Sequence, residues 1–431
     1  MEYQNTLAFA QQLDELDGLK YLRDKFLIPQ HNGSDAIYLC GNSLGLQPKA
    51  ARGELQKQLD AWQCRAVEGW FEGDDPWLGY QKQLKKPLSV ILGAREAEVS
   101  VMNSLTVNLH LLMISFYQPK DKRYKILMEG KAFPSDQYAI ESQVRLHGLA
   151  PDDVIVEVFP RDGEYTLRTE DILQKINDLG DELALVLFGG VNYYTGQLFD
   201  IAAITQASHT VGAMVGVDLA HAAGNVPLQL HDWGVDFACW CSYKYLNSGP
   251  GGISGIFVHQ KYHNDTSLKR LSGWWGYERA TQFEMKKGFV PEVGADGWQV
   301  STSPILLMAL NKAALGVFED TGGIRYLREK SVRLTGYMEF LINQINQQWG
   351  EVWLKIITPT DPEQRGCQLS IICKQYGKKI FDHLAANGII GDWREPDVIR
   401  LSPVPLYNTF TDVYHTGRVL QEALLLVNEV K

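Results

Sequence analysis

Asp218 and Lys244 each stand just past the end of an apolar run: Asp218 after Ala213 to Val217, Lys244 after Phe237 to Cys241, with glycines at 249, 251 and 252 close behind. In an open parallel sheet, ligands gather outside the carboxyl ends of the strands, so these two residues, 26 positions apart, meet in one crevice if their strands are neighbours. A carboxylate and an amine so placed suit a pyridoxal cofactor. The amine condenses with the aldehyde as an imine, and the carboxylate keeps the pyridine nitrogen protonated so that the ring accepts electrons. An aspartate beside that cation is expected to stay ionised, with a lowered pKa. Read singly, Asp218 serves equally as a helix N-cap and Lys244 as a solvated lysine. The buried-looking strand before Lys244, and Tyr243 and Tyr245 on either side of it, favour the joint role.

The remaining parts of such a site have candidates at other strand ends. Asn103 to Asn108 follow one apolar run and open the helix Leu109 to Phe116, so free amides and the Thr106 hydroxyl face an anion such as a phosphate; an ordinary Ser/Thr cap explains the same letters. Phe133, beside Pro134, Ser135 and Asp136, can lie flat on a pyridine ring or fill the core. His221 either stacks near that ring or is a satisfied core histidine. Arg400 has the planar fork that grips an α-carboxylate, with a surface ion pair as the duller alternative. Cys239 and Cys241 alternate about Trp240, which reads as core packing; no metal site is expected.

Positioning these residues takes an α/β sheet. Short apolar runs alternate with amphipathic stretches at Val99 to Met102, Lys125 to Met128, Val154 to Phe159, Leu183 to Phe188, Ala213 to Val217, Phe237 to Cys241 and Gly252 to Val258. That is the pattern of parallel strands with crossover helices, and it predicts one large sheet of seven strands. Beyond Ser303 the periodicity turns helical, at Ile305 to Phe318 and Ile324 to Gln347, before strand-like runs at Gln368 to Cys373 and Val398 to Ser402. We expect a large cofactor-binding domain over residues 61–304, a smaller α+β C-terminal domain over 305–431, and an N-terminal segment, 1–60, packing on the smaller one.

Composition narrows the class. The 431 residues are 45% hydrophobic and 21% charged, the balance of a folded globular chain long enough for two lobes. A net charge of -10, with no block of like charges, argues against nucleic acid and anionic membrane as partners. Six cysteines without paired C-x-x-C spacing indicate reduced thiols and a cytoplasmic setting. No basic, apolar leader opens the chain and no run reaches membrane-spanning length, so a soluble, unprocessed protein is expected.

The strings GNSLGLQP (41–48), FPSD (133–136), YTGQ (194–197), DLAHA (218–222), WCSYKYLN (240–247), GWWG (273–276), RGCQ (365–368) and PVPLYN (403–408) together resemble the kynureninase family, across nearly the whole chain. The resemblance implies the aminotransferase-like fold of pyridoxal-phosphate enzymes (fold type I) and hydrolysis of L-kynurenine to anthranilate and L-alanine in tryptophan breakdown. It makes Lys244 the imine lysine and general base, and Asp218 the pyridinium partner. Leu105, Thr106, Asp136, His221 and Tyr243 would line the cofactor, with Phe133 against its ring. Trp274 and Thr302 would reach it from the second subunit of a homodimer. Arg400 and Ser43, in the first string, would hold substrate. Tyr194 is the candidate acid or base at the substrate's carbonyl, a cofactor hydrogen bond being the alternative. Gly189 stands where the family often has serine and Thr302 where it often has asparagine, a pattern nearer bacterial members that favours kynurenine over its 3-hydroxy form. The rival within the fold is a cysteine desulfurase or an aminotransferase; outside it, a nucleotide-binding protein lacks the G-x-G-x-x-G it would need.

Overall fold

A computed structural model of the chain describes residues 2–429. All seven expected strands lie in one sheet: β1 (Val99–Val101), β2 (Lys125–Glu129), β3 (Ile155–Val158), β4 (Leu183–Gly189), β5 (Met214–Asp218), β6 (Phe237–Trp240) and β7 (Gly255–Val258). Their spatial order is β1-β7-β6-β5-β4-β2-β3. The run from β6 to β3 is parallel, with Asp218 in register with Gly189 on one side and Cys239 on the other. The strands are apolar on both faces because both are covered. Val186 and Phe188 pack into one core with Val217 and Trp240, while Leu185 and Leu187 pack into another with Met128 and Phe237.

β7 departs from the parallel pattern, running antiparallel to both β6 and β1. A parallel return needs a long crossover, typically a helix. Residues 241–254 hold tight turns instead, with Gly249 and Gly251 at φ of 87° and 65°, so the chain doubles back beside the strand it has just left.

A second sheet is antiparallel, in the order β8-β9-β11-β10, with β8 (Leu354–Ile356), β9 (Leu369–Cys373), β10 (Asp392–Arg394) and β11 (Val398–Leu401). The helix Ile324–Trp349 packs on it through Leu334, Tyr337 and Leu341. Two segments straddle the lobes. Helix Ile305–Glu319 buries Met308, Leu315 and Phe318 in the core of the large sheet, although it falls on the small-lobe side of the expected boundary. The N-terminal segment pairs Ile37–Tyr38 with Ile389–Ile390 and packs Phe9 and Leu13 into the small core, whereas its Leu22, Phe26 and Leu46 join the large one. Among the described residues no helix is long and apolar enough to cross a membrane.

Candidate active site

Four parallel strands end at one cavity. β2 delivers Glu129, β4 Gly189, β5 Asp218, and the turn after β6 Lys244 with Tyr243; Val191 and Tyr193 come from the loop after β4, and Ala220 and His221 from the loop after β5. Leu105 and Thr106 open the helix Leu105–Phe116, and Phe133, Ser135 and Asp136 begin the helix Pro134–Leu146. The cavity lies where strand order reverses about β2, the crevice in which open α/β sheets take ligands.

Lys244 Nζ is 3.0 Å from His221 Nε2 and 5.9 Å from the ring centres of both Phe133 and Tyr243. Burial, reinforced by the positive charges of Lys244 and Arg400, holds the His221 imidazole well below its ordinary pKa. The ring is therefore neutral. With Nε2 accepting from the lysine ammonium, the proton is assigned to Nδ1, which is buried with no hydrogen-bond partner among the described residues. Neither earlier alternative fits, since His221 is not a satisfied core histidine and Lys244 is not a solvated one.

Asp218 accepts at Oδ1 from the Ala220 amide at 2.6 Å. In the protein alone burial raises its pKa and outweighs the opposing pulls of that amide and Lys244; the lowering expected beside a pyridinium belongs to the cofactor-bound site. Asp136 is raised further, by burial and then by Asp218, with its Oδ1 unpartnered among the described residues. Glu129 is pushed up to about 7 by burial, although Asn192 and the Gly189 amide donate to it. Burial thus favours the neutral form of all three carboxyls around the cavity.

That arrangement carries a pH prediction. Folding raises the Glu129 carboxyl from an ordinary 4.5 to about 7, so the folded chain binds this proton more tightly than the unfolded one. Its contribution to stability is present below about 4.5 and is lost as pH rises through about 7, by about 3 kcal/mol in total. The thermal midpoint of cofactor-free protein is expected to fall from about pH 5 to pH 8, and to fall less steeply in Glu129→Gln. Parallel pH profiles for the two proteins would refute this.

The site's residues fit pyridoxal phosphate. The N-cap of Leu105–Phe116, Ser104, makes no side-chain cap bond, so the first-turn amides are open to a phosphate rather than closed by the Ser/Thr cap considered above. His221 Nδ1 is a buried polar atom awaiting a partner, and Phe133, 40% exposed, meets the ring of Tyr193 edge-on at 5.2 Å instead of lying in the core.

The other expected residues lie outside the cavity lining. Arg400, on β11, is fully buried rather than in a surface ion pair; its Nη1 donates to the Tyr193 carbonyl at 2.6 Å, and Nη2 to Ser43 Oγ at 3.2 Å and to Asp392. Ser43 also donates to Asp392, so these three form one cluster behind the Tyr193 backbone. Tyr194 does not line the cavity: its ring sits 6.2 Å from that of Tyr193, which does, and Asp397 and Tyr165 are among its electrostatic neighbours. Trp274, 46% exposed, and Thr302, also exposed, are away from the lining within one chain. Glu129, Ser135, Val191, Tyr193 and Ala220 were not singled out in the sequence. Glu129 had a legible signal, being the residue just past the run Lys125 to Met128.

Elsewhere, Glu98, His231 and His259 place ligand atoms within 4.8 Å of one another. Glu98 already accepts from His231 Nδ1 at 2.8 Å and from the amides of Gln260 and Arg95 at 2.9 and 2.8 Å, so the group is satisfied internally.

Fold and site together define an enzyme of the pyridoxal-phosphate class with the aminotransferase-like architecture. The aminotransferase class-V family model matches residues 82–347, and the kynureninase C-terminal domain model matches residues 327–420. Among solved structures, the cysteine desulfurase CsdA from Escherichia coli superimposes with a TM-score of 0.74, covering 95% of this chain and 99% of its own at 17% identity; this is a likeness of fold. Sequence relatives are more specific. Kynureninase from Flavobacterium psychrophilum is 54% identical, covering 99% of this chain and 100% of its own, and kynureninase from Nematostella vectensis is 48% identical, covering 96% and 93%. The chain belongs to the kynureninase family.

Proposed function

We propose that the chain hydrolyses L-kynurenine to anthranilate and L-alanine with pyridoxal phosphate as cofactor. The observation that carries this is the placement of the Lys244 amine and the Asp218 carboxyl in one cavity, in a chain about half identical to kynureninases over nearly its whole length. Bound there, the cofactor supplies an electron sink for the substrate's α-carbon. Lys244 would hold the cofactor through its aldehyde, and its amine is placed to take the substrate's α-proton. Neutral His221 steadies that amine without adding positive charge to the site. Asp218 would hold a proton at the ring nitrogen, Thr106 and the amides near it would take the phosphate, and Phe133 would pack against the ring. Leu105, Asp136 and Tyr243 line the cofactor, while Arg400 and Ser43 hold the substrate carboxylate.

Water adding across the γ-carbonyl releases the aromatic acid, and the three-carbon remainder leaves as alanine, which accounts for every atom of substrate and water. Tyr194 was the sequence's candidate for acid or base at that carbonyl. Tyr193 has the better claim, since it lines the cavity.

We assign residues 61–304 to the cofactor-binding lobe, 305–431 to the smaller lobe and 1–60 to the N-terminal segment, with helix Ile305–Glu319 as a connector that serves the large core. Trp274 and Thr302 complete the cofactor site of a second subunit in a homodimer. Exposed Phe71 and Phe283 beside Trp274 support such a contact. A cytoplasmic setting agrees with six free thiols, of which Cys239, Cys241, Cys367 and Cys373 are buried, Cys40 half-buried and Cys64 exposed. A desulfurase would need a reactive, mobile cysteine; Cys367 is buried with its thiol pushed up to about 12.

Purified protein loaded with pyridoxal phosphate is expected to release fluorescent anthranilate from L-kynurenine, faster than it releases 3-hydroxyanthranilate from the 3-hydroxy substrate. Absence of both products would refute the function.

A further inference from the structure

The turn at residues 192–195 is gripped from both lobes. On the cofactor side, Glu129 accepts from the Gly189 amide at Oε1 (3.2 Å) and from Asn192 Nδ2 at Oε2 (2.7 Å). Asn192 Oδ1 then accepts from the amides of Tyr194 (3.0 Å) and Thr195 (2.8 Å) and from the Thr195 hydroxyl (3.0 Å), bracing the turn with one side chain. On the other side, the Tyr193 carbonyl accepts from Arg400 Nη1 at 2.6 Å and Gln368 Nε2 at 3.1 Å. One chain of hydrogen bonds therefore runs from a buried carboxyl in the cofactor cavity to a buried guanidinium in the smaller lobe.

The local packing is built around that carboxyl. A Cβ at position 189 would lie 2.8 Å from Glu129 Oε1, so the glycine leaves the room Glu129 occupies. Two donors converge on its two oxygens, a demand that an amide cannot meet, since one of its two heads is itself a donor.

We propose that Glu129 is a positioning residue which, through Asn192, sets the Tyr193 carbonyl and so aims the Arg400 guanidinium at the substrate carboxylate. The proposal rests on reading Arg400 as the anchor of that carboxylate. It makes Glu129 a determinant of substrate binding rather than of proton transfer.

The test is an exchange of partners. Glu129→Gln turns one acceptor into a donor facing Asn192 Nδ2. Adding Asn192→Asp restores the contact in reverse, with the introduced amide donating to the introduced carboxylate while the turn amides keep their acceptor. In cofactor-loaded enzyme, Glu129→Gln is expected to raise KM for L-kynurenine about tenfold with kcat within about threefold of wild type, and the double variant to recover most of the loss. In cofactor-free protein, hydrogen exchange of the amides of residues 190–197 is expected to quicken in the single variant and slow again in the double. A fall in kcat at unchanged KM, without recovery in the double variant, would overturn the proposal, because Glu129 would then act on the reacting centre. Unchanged exchange in the single variant would overturn it as well. If wild type fails to turn over kynurenine, the proposed function falls, and the exchange measurement alone decides this inference.

Discussion

Lys244→Ala is expected to leave almost no turnover. The amine lies 3.0 Å from a neutral imidazole in a cavity closed by three carboxyls, and among the lining residues no other side chain carries an amine. Loss of a positioned general base removes roughly 100- to 10,000-fold on its own. The same amine is the proposed attachment point for the cofactor, so the variant would also lose the imine with which the substrate amine exchanges. Cofactor retained by the remaining contacts would be bound but inert. Anthranilate release measures the effect, and borohydride reduction of wild-type enzyme followed by peptide mapping locates the attachment. Near-normal turnover in the variant, or an adduct on another lysine, would refute the assignment.

Asp218→Asn keeps the size of the side chain and can still accept from the Ala220 amide, while the charge is removed. In the cofactor-free cavity the Asp218 carboxyl is held above the ordinary range by burial, and a protonated ring nitrogen is the partner that would favour its ionised form. Removing one member of a buried charge pair costs about 3–5 kcal/mol, which corresponds to roughly a 100- to 4,000-fold loss. We expect kcat/KM to fall within that range, with cofactor affinity weakened as well. Titrating the variant with pyridoxal phosphate while following absorbance separates the two effects. Turnover within about threefold of wild type would mean that Asp218 does not face the ring nitrogen.

Much of the cavity was legible because its residues obey a rule about strand ends. Eight of the expected positions, Leu105, Thr106, Phe133, Asp136, Asp218, His221, Tyr243 and Lys244, border one cavity, each just past a strand or opening the helix that follows one. Glu129 falls under the same rule, standing just past Lys125 to Met128 as Asp218 stands just past Ala213 to Val217, and was equally legible. The cluster of Arg400, Ser43 and Asp392 was half legible. The arginine has an obvious chemistry, but its buried guanidinium is held by the Tyr193 carbonyl and the Ser43 hydroxyl, from segments hundreds of residues away, as well as by nearby Asp392, with Nε left unpartnered among the described residues.

The sequence by itself determined the alternation of strand and helix, the seven strands of the large sheet, the residue types at their ends and the family, because burial on a sheet and the chemistry of side chains both leave a mark within a few residues. Tertiary structure decided the rest. β7 runs antiparallel because the turns of 241–254 leave no crossover helix. Tyr193 rather than Tyr194 borders the cavity because Asn192 braces the turn, and neighbouring side chains on such a backbone point different ways. Asp218 carries a raised pKa because the surroundings that desolvate it come from several separate strands and helices. Direction and desolvation are sums over neighbours brought together only by folding, and no local pattern of letters records them.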